Sequence, residues 1–197
     1  MAILNGATPR ARDNPFAVDR VLKIRYRFEE DSIDTLLGRL KSLHWRGAIV
    51  GPEGTGKTTL VEDIADRLAG DGWQIRGARL SQEQPRFERK WLRRFLESLG
   101  PRDLIVFDGA EQLSDRAWRR FQAGSREAGG LLITSHRAGL LPTLYRSRTS
   151  LAILSEILGE LVPTAPSSLY DEATRLFDVH HGNIRDVLRS LYDLWAA

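Results

Sequence analysis

The middle of the chain alternates between short apolar runs and amphipathic segments with helical spacing. Five runs have the length and composition of strands, and the last starts with a proline, which suits a sheet edge: 47–50, 73–80, 104–107, 131–134 and 142–149. Three segments between them place apolar residues every three or four positions, as helices do: 60–68, 86–99 and 115–127. This alternation predicts an α/β fold with three layers, in which a mostly parallel five-stranded sheet lies between helices.

The C-terminal part of the chain carries only helical signals. Ser150 is suited to cap a first helix, and Ser168 with Asp171 resembles a capping box for a second helix that ends at Gly182. A last helix is apolar along one face, so we interpret this region as a small helical lid. We therefore expect an N-terminal basic arm or lead-in, an α/β domain and a C-terminal helical lid, with these bounds: 1–30, 31–150 and 151–197.

Residues 51–59 carry the most specific motif of the chain. They match the pattern G-x-x-x-x-G-K-[ST] at every fixed position, between a predicted strand and a predicted helix, and so predict a phosphate-binding loop. Glycines let backbone N–H groups point at phosphate oxygens, Lys57 places a positive charge on the phosphates, and Thr58 offers a hydroxyl to Mg²⁺. The predicted nucleotide-binding residues are Gly51, Pro52, Glu53, Gly54, Thr55, Gly56, Lys57, Thr58 and Thr59.

A second candidate group follows the most continuous apolar run. Asp108 comes directly after residues 104–107, which we predict to be a central parallel strand. A carboxylate at that end of a strand beside a phosphate loop can hold Mg²⁺, partly through water. Thr58 and Asp108 are therefore the predicted metal ligands. The alternative is that Asp108 and Gly109 form an ordinary turn pair.

The order of these features resembles the AAA+ and related additional-strand P-loop ATPases. A phosphate loop precedes an extra strand, a strand that ends at Asp108, and a strand that ends in Thr134 and Ser135. In that family a polar residue at the last position senses the γ-phosphate and orients the attacking water, so the resemblance assigns this role to Thr134 or Ser135. The family's second sensor is an arginine that reaches the γ-phosphate from a lid helix, and Arg185 in segment 182–185 resembles it.

The resemblance implies a P-loop ATPase that binds ATP with Mg²⁺ and couples ATP binding and hydrolysis to lid movement and to association with a partner or with itself. Two other functions stay open. One is a non-catalytic nucleotide-binding switch, which changes its affinity for a partner without turnover. The other, with less support because no acceptor-site residues are recognisable, is a P-loop kinase that acts on a small molecule.

One position departs from the family pattern. The family has a glutamate directly after the aspartate, where it polarises the attacking water, and here that residue is Gly109. The nearest carboxylate is Glu111, which a glycine hinge could bring to the same place; the alternative is a solvated residue at the start of helix 115–127. The candidate catalytic residues are Lys57, Glu111, Thr134, Ser135 and Arg185.

Arginines suggest two kinds of partner. Arg137, Arg146 and Arg148 follow the fourth and fifth predicted strands, where an arginine finger from a neighbouring subunit of a homo-oligomer could act; the alternative is surface arginines. The basic side of the predicted helix over 86–94 could follow a nucleic-acid backbone, and the alternative there is a solvated face.

Composition excludes several classes of protein. The chain has 197 residues, no cysteine and a net charge of +3, so neither a disulfide framework nor a cysteine metal site can form. No apolar run approaches the ~18 residues of a membrane span, and the N-terminus lacks the apolar core of a secretion signal. We therefore expect a cytoplasmic protein with no membrane partner.

Overall fold

The computed structural model describes residues 13–196 of the chain. The first twelve residues, which form part of the predicted basic arm, lie outside this range. Contacts divide the described residues into two compact units. The sheet unit comprises Glu30–Gly51 and Lys57–Ser147, and the helical unit comprises residues 13–29, 52–56 and 148–196.

The sheet unit contains five strands in the order β2-β3-β4-β1-β5. Each pair of neighbouring strands is parallel, so the predicted α/β fold with a five-stranded sheet is confirmed. The short fifth strand lies at an edge, as its leading proline predicts. The strands are β1 (Arg46–Val50), β2 (Gln74–Arg79), β3 (Asp103–Asp108), β4 (Gly130–Ser135) and β5 (Thr143–Arg146).

Strand register brings the polar strand ends together. Val50 at the end of β1 lies opposite Ser135 at the end of β4, and Phe107 of β3 lies opposite Ile133 of β4. Because the strands are parallel, their carboxyl ends meet at one edge of the sheet. Asp108 therefore ends its strand at the same edge from which the phosphate loop leaves β1.

The sheet unit also contains four α-helices among its described residues: α2 (Ile33–Ser42), α3 (Lys57–Gly70), α4 (Arg89–Glu97) and α5 (Asp115–Gly124). Sequence patterns did not identify α2, whose N-cap Ser32 accepts a hydrogen bond from the Thr35 N–H. The N-terminal bound of the predicted basic helix 86–94 is wrong, because α4 begins only at Arg89. Phe87 lies before the helix and packs against aromatic rings of the core instead of continuing the helical face.

The core of the sheet unit is built around Phe107 of β3, which is fully buried. Its ring centroid lies 5.4 Å from that of Phe87, 6.4 Å from that of Trp118 and 4.8 Å from that of Phe121. These partners come from the segment before α4 and from α5. One strand residue therefore anchors both helices on the same face of the sheet.

The helical unit contains α1 (Val18–Val21), α6 (Leu151–Leu161), α7 (Ser167–Val179) and α8 (Ile184–Ala196). Ser150 caps α6 as predicted, because its hydroxyl accepts a hydrogen bond from the Ile153 N–H. The predicted capping box at Ser168 is wrong: the N-cap position of α7 is Pro166, two residues earlier, which makes no side-chain cap bond, and Ser168 lies inside the helix. A proline before the helix fixes the entry of the chain in place of a polar cap.

No helix within residues 13–196 is both long enough and apolar enough to cross a membrane.

We expect Phe107→Ala to lower the free energy of unfolding by about 3–5 kcal/mol, since it empties a large site in a close-packed core. The measurement is urea unfolding followed by near-ultraviolet circular dichroism. Leu22→Ala is the control, because Leu22 is 75% exposed and its truncation should change stability by less than ~0.5 kcal/mol. Equal shifts in the two variants would contradict the central role of Phe107.

Candidate functional site

The ends of the phosphate loop are set by β1 and α3. Gly51 continues β1, and its N–H donates to the carbonyl oxygen of Ser135 at 3.1 Å. Helix α3 begins at Lys57, so the phosphate loop leads directly into a helix N-terminus, whose partial positive charge favours an anion. Lys57 is only 9% exposed. A buried ammonium group at a helix N-terminus favours a polyanionic ligand.

Hydrogen bonds from two elements hold the carboxylate of Asp108. The Thr58 hydroxyl at the start of α3 donates to Oδ2 at 3.2 Å, and the Thr134 hydroxyl at the end of β4 donates to Oδ1 at 2.5 Å. The Gly109 N–H donates in turn to Thr134 Oγ1 at 3.0 Å. Arg79 Nε lies 3.6 Å from Oδ2. The predicted ligands Thr58 and Asp108 are thus brought together at the sheet edge.

Their chemistry fits Mg²⁺, which takes oxygen ligands and is usually bound by one or two protein groups together with phosphate and water. Among residues 13–196 no group of three or more His, Cys, Asp or Glu side chains could hold a metal alone. Burial and the nearby Asp108 carboxylate raise the pKa of Glu62 on α3, although Arg79 acts in the opposite direction. The carboxylates of Glu62 and Asp108 therefore repel each other, and a cation between them and the phosphates would relieve that repulsion.

The backbone at Gly109 explains why a glutamate does not follow Asp108. Gly109 has a φ of 82°, and a Cβ at this position would lie 2.3 Å from the carbonyl oxygen of Leu80. Any larger residue would both strain the backbone and collide with the neighbouring chain. The turn at Gly109 leads into a short 3-10 helix, Ala110–Gln112, which carries Glu111.

Glu111 is mostly buried rather than solvated. Its side chain is 12% exposed, and Oε1 lies 3.6 Å from Nδ1 of His136. Its second oxygen, Oε2, is buried without a hydrogen-bond partner in the described part of the chain. A buried carboxylate oxygen with unused lone pairs is suited to accept a hydrogen bond from a ligand or from water.

The three consecutive polar residues at the end of β4 have different environments. The hydroxyl of Thr134 is committed to Asp108 and Gly109, while the hydroxyl of Ser135 donates to the Arg137 carbonyl at 2.7 Å and accepts from the Arg137 N–H at 3.1 Å. The Nδ1 atom of His136 lies within ion-pair distance of Glu111. Sequence reasoning missed His136, although its place directly after a polar strand end was a usable signal.

In the helical unit, the centre of the phosphate loop packs against the start of α8. The Thr55 hydroxyl donates to the Pro52 carbonyl at 2.9 Å, which tightens the loop. Gly54 has a φ of 72°, and a Cβ there would lie 1.7 Å from Oδ1 of Asn183. That amide is fixed, because Oδ1 accepts from the Asp186 N–H at 3.2 Å and Nδ2 donates to the Asp186 carboxylate at 2.6 Å.

The remaining candidate arginines are exposed. Arg185 lies in the first turn of α8, two residues after Asn183, and has no ion pair within residues 13–196. The arginine-finger candidates Arg137, Arg146 and Arg148 are also exposed and have no ion pair within residues 13–196. Tyr26, which sequence reasoning also missed, packs on the loop, since a Cβ on Gly56 would lie 3.0 Å from its ring.

Residues 48–140 match the family model described as the ATPase family associated with various cellular activities (AAA). RuvB from Thermotoga maritima is structurally similar with a TM-score of 0.51 and 17% identity, over 88% of this chain and 73% of that one. Domain III of the replication initiation protein DnaA from the same organism gives a TM-score of 0.48 and 14% identity, over 82% of this chain and 78% of that one. No curated protein matches the chain. At such identities the structural likeness concerns the fold alone.

We expect Gly54→Ala to destabilise the protein by about 1–2 kcal/mol from its backbone conformation, and further through collision with Asn183. Asn183→Ala alone should cost about 0.5–2 kcal/mol, because it removes the cap of α8. Combined, the two changes should cost less than their sum, since the second removes the collision partner of the first. Urea unfolding of the four proteins measures this coupling, and strictly additive costs would contradict the contact.

Proposed function

We propose that the chain is an AAA-type ATPase that binds Mg-ATP and hydrolyses it, because residues 48–140 match the model of that family. The observation that carries this proposal is the convergence at the sheet edge of the phosphate-loop helix with the acid of β3. The Thr58 hydroxyl lies 3.2 Å from Asp108 Oδ2, at the start of a helix whose first residue is the buried Lys57. A hydroxyl, a carboxylate and an ammonium group so arranged are suited to a nucleotide triphosphate and its metal ion.

In this proposal the backbone of residues 51–58 and Lys57 hold the phosphates. Thr58 and Asp108 hold Mg²⁺, which supplies positive charge to the phosphate oxygens when bound. Thr134 keeps the Asp108 carboxylate in the required orientation through its 2.5 Å hydrogen bond. Thr134 or Ser135, at the end of β4, would sense the γ-phosphate of the bound nucleotide.

Glu111 is proposed as the residue that orients the attacking water. Its buried Oε2 can accept a proton from water while Oε1 faces His136 at 3.6 Å. His136 would act as a positioning residue, because it limits the rotation of the glutamate side chain. This arrangement would replace the glutamate that AAA+ ATPases carry directly after the aspartate.

Lid coupling is proposed through Arg185. Asn183 touches the loop at Gly54 and caps α8, so a change in loop conformation would be transmitted to the first turn of that helix. Arg185 lies in this turn and would sense the γ-phosphate. Self-association is proposed in addition, with Arg137, Arg146 or Arg148 reaching a neighbour's nucleotide.

A nucleic-acid partner is also proposed, through the basic residues 86–94. A RuvB structure from T. maritima is described as a Holliday junction branch migration motor, and DnaA as a replication initiation protein. Those descriptions concern those proteins, and for this chain the proposal depends on its own charged surface.

Gly109 favours a second candidate function. A protein without the glutamate after Asp108 could bind ATP and change its affinity for a partner without turnover. Steady-state phosphate release distinguishes this switch from an ATPase. The release should be measured at several protein concentrations, because an arginine donated by a neighbouring subunit would raise the activity per subunit as the protein concentration increases. No turnover under any of these conditions would replace the ATPase by the switch.

We expect Lys57→Ala to lower the affinity for Mg-ATP at least tenfold, because charged hydrogen bonds to phosphate are worth ~1.5–3 kcal/mol each. Isothermal titration calorimetry measures the affinity, and circular dichroism checks the fold. Lys41→Ala is the control, since it removes the same charge from the exposed side of α2. Unchanged affinity in folded Lys57→Ala protein would refute the phosphate-loop assignment.

We expect Glu111→Gln to bind Mg-ATP normally and to hydrolyse it about 10²–10⁴-fold more slowly, because the amide keeps the size of the side chain but cannot act as a base. Asp108→Ala should instead weaken Mg²⁺-dependent binding and hydrolysis together. Single-turnover phosphate release and calorimetry distinguish the two patterns.

The positioning role of His136 is tested in the same assays. His136→Ala should lower turnover less than Glu111→Gln does, and His136→Asn should restore part of the loss, with ATP affinity unchanged in both. Wild-type turnover by Glu111→Gln protein would show that another group orients the water.

A further inference from the structure

Helices α4 and α5 form one continuous side of the sheet unit. The Phe87 ring before α4 and the Phe121 ring of α5 are stacked with centroids 6.1 Å apart, and both contact Phe107 of β3. A Cβ on Gly124 of α5 would lie 2.6 Å from Leu96 Cδ1 of α4, so the helices are in close contact at their C-terminal ends. Their outward faces are therefore neighbours on the surface.

These outward faces are strongly cationic. We call the following exposed side chains on α4, α5 and the residues just before α4 the basic face: Arg86, Arg89, Lys90, Arg93, Arg94, Arg116, Arg119 and Arg120. Within residues 13–196, only Arg93 of this set has a carboxylate nearby, Glu97 at 3.9 Å. Arginines elsewhere are paired more closely, for example Arg39 with Asp31 at 2.7 Å and Arg67 with Asp71 at 2.6 Å.

The spacing of these cations opposes helix stability. Arg89 and Arg93, Lys90 and Arg94, and Arg116 and Arg120 are like-charge pairs four residues apart, where side chains are neighbours on a helix and repel each other. A solvated face needs no such arrangement, because alternating charges would solubilise the surface equally well. Three repulsive pairs on adjacent helices instead fit a surface that meets a polyanion.

Trp91 lies beside the basic face on α4, and its exposure indicates which kind of polyanion this surface binds. Its ring is stacked at 4.9 Å on both Phe87 and Phe95, yet the residue remains 39% exposed. Its closest neighbours in sequence and on the helix include Lys90 and Arg94. Because Phe87 and Phe95 cover the two faces of the indole, its exposed edge is the part that can contact a ligand. An unpaired base next to a phosphate can reach such an edge, whereas a duplex hides its bases and an acidic peptide has none.

We propose that the basic face binds single-stranded nucleic acid, with the cations on the phosphodiester backbone and the exposed edge of the Trp91 indole against a base. Binding at the basic face needs no bound ATP, so it can be tested independently of ATP binding and hydrolysis. The proposed binding surface is larger than the basic segment 86–94 that the sequence predicts, because it also includes α5 and a contact from Trp91.

The test is fluorescence anisotropy of a labelled oligothymidine added to nucleotide-free protein at low salt. The triple variant Arg89→Glu, Lys90→Glu, Arg94→Glu should bind at least about tenfold more weakly. Its log–log salt dependence should be shallower by about two, since each lost phosphate contact contributes ~0.7. Trp91→Leu should weaken binding by about two- to fivefold, less than a full base–aromatic stack would lose, while leaving the charge unchanged.

A matched control variant, Lys23→Glu, Lys41→Glu, Arg189→Glu, changes the net charge equally at exposed cations outside the basic face. It should bind oligothymidine nearly as the wild type does, and so should Lys57→Ala, whose defect is confined to ATP. Four results would overturn the proposal: no binding at low salt, an equal loss in the control triple variant, tighter binding of a duplex of the same sequence, or equal competition by polyglutamate.

Discussion

The hydrogen bond between the Thr134 hydroxyl and Asp108 Oδ1 is the interaction on which the candidate site depends. It joins the ends of β3 and β4 at 2.5 Å and is partly buried, with Thr134 itself only 1% exposed. The other oxygen of the same carboxylate accepts from Thr58, so one acid links two strands to the helix that follows the phosphate loop. Because the Gly109 N–H donates to Thr134, this network also sets the direction in which the chain leaves β3.

That direction accounts for the unusual position of Glu111. The left-handed turn at Gly109 passes so close to the Leu80 carbonyl that no side chain fits, and the 3-10 helix after it carries the carboxylate into a mostly buried position beside His136. The absence of a glutamate directly after Asp108 is thus linked to the path that the backbone takes at Gly109. The electrostatic cost of a buried carboxylate is tolerable where a ligand or water completes its hydrogen bonds.

The three central strands, β1, β3 and β4, were predictable because they are buried on both faces and stand out as continuous apolar runs. The phosphate loop was predictable because each fixed residue has a physical role. Other features depend on contacts that a linear pattern does not contain. Helix α4, for example, starts late because Phe87 is drawn into the aromatic core. Helix α2 is different, because Ile33, Leu36, Leu37 and Leu40 have helical spacing and Ser32 caps them, so its sequence signal was present but was missed. The pairing of Glu111 with His136 joins residues from different strands' ends, and only the strand order brings them together.

The contact between Gly54 and Asn183 has a consequence for protein engineering. The loop conformation is shared with a residue more than a hundred positions away, because Asn183 Oδ1 occupies the space that a side chain at position 54 would need. A graft of residues 51–59 onto another scaffold would carry the glycines but leave behind the amide that packs on them. Positions 54 and 183 should therefore be redesigned together, as one unit of the loop.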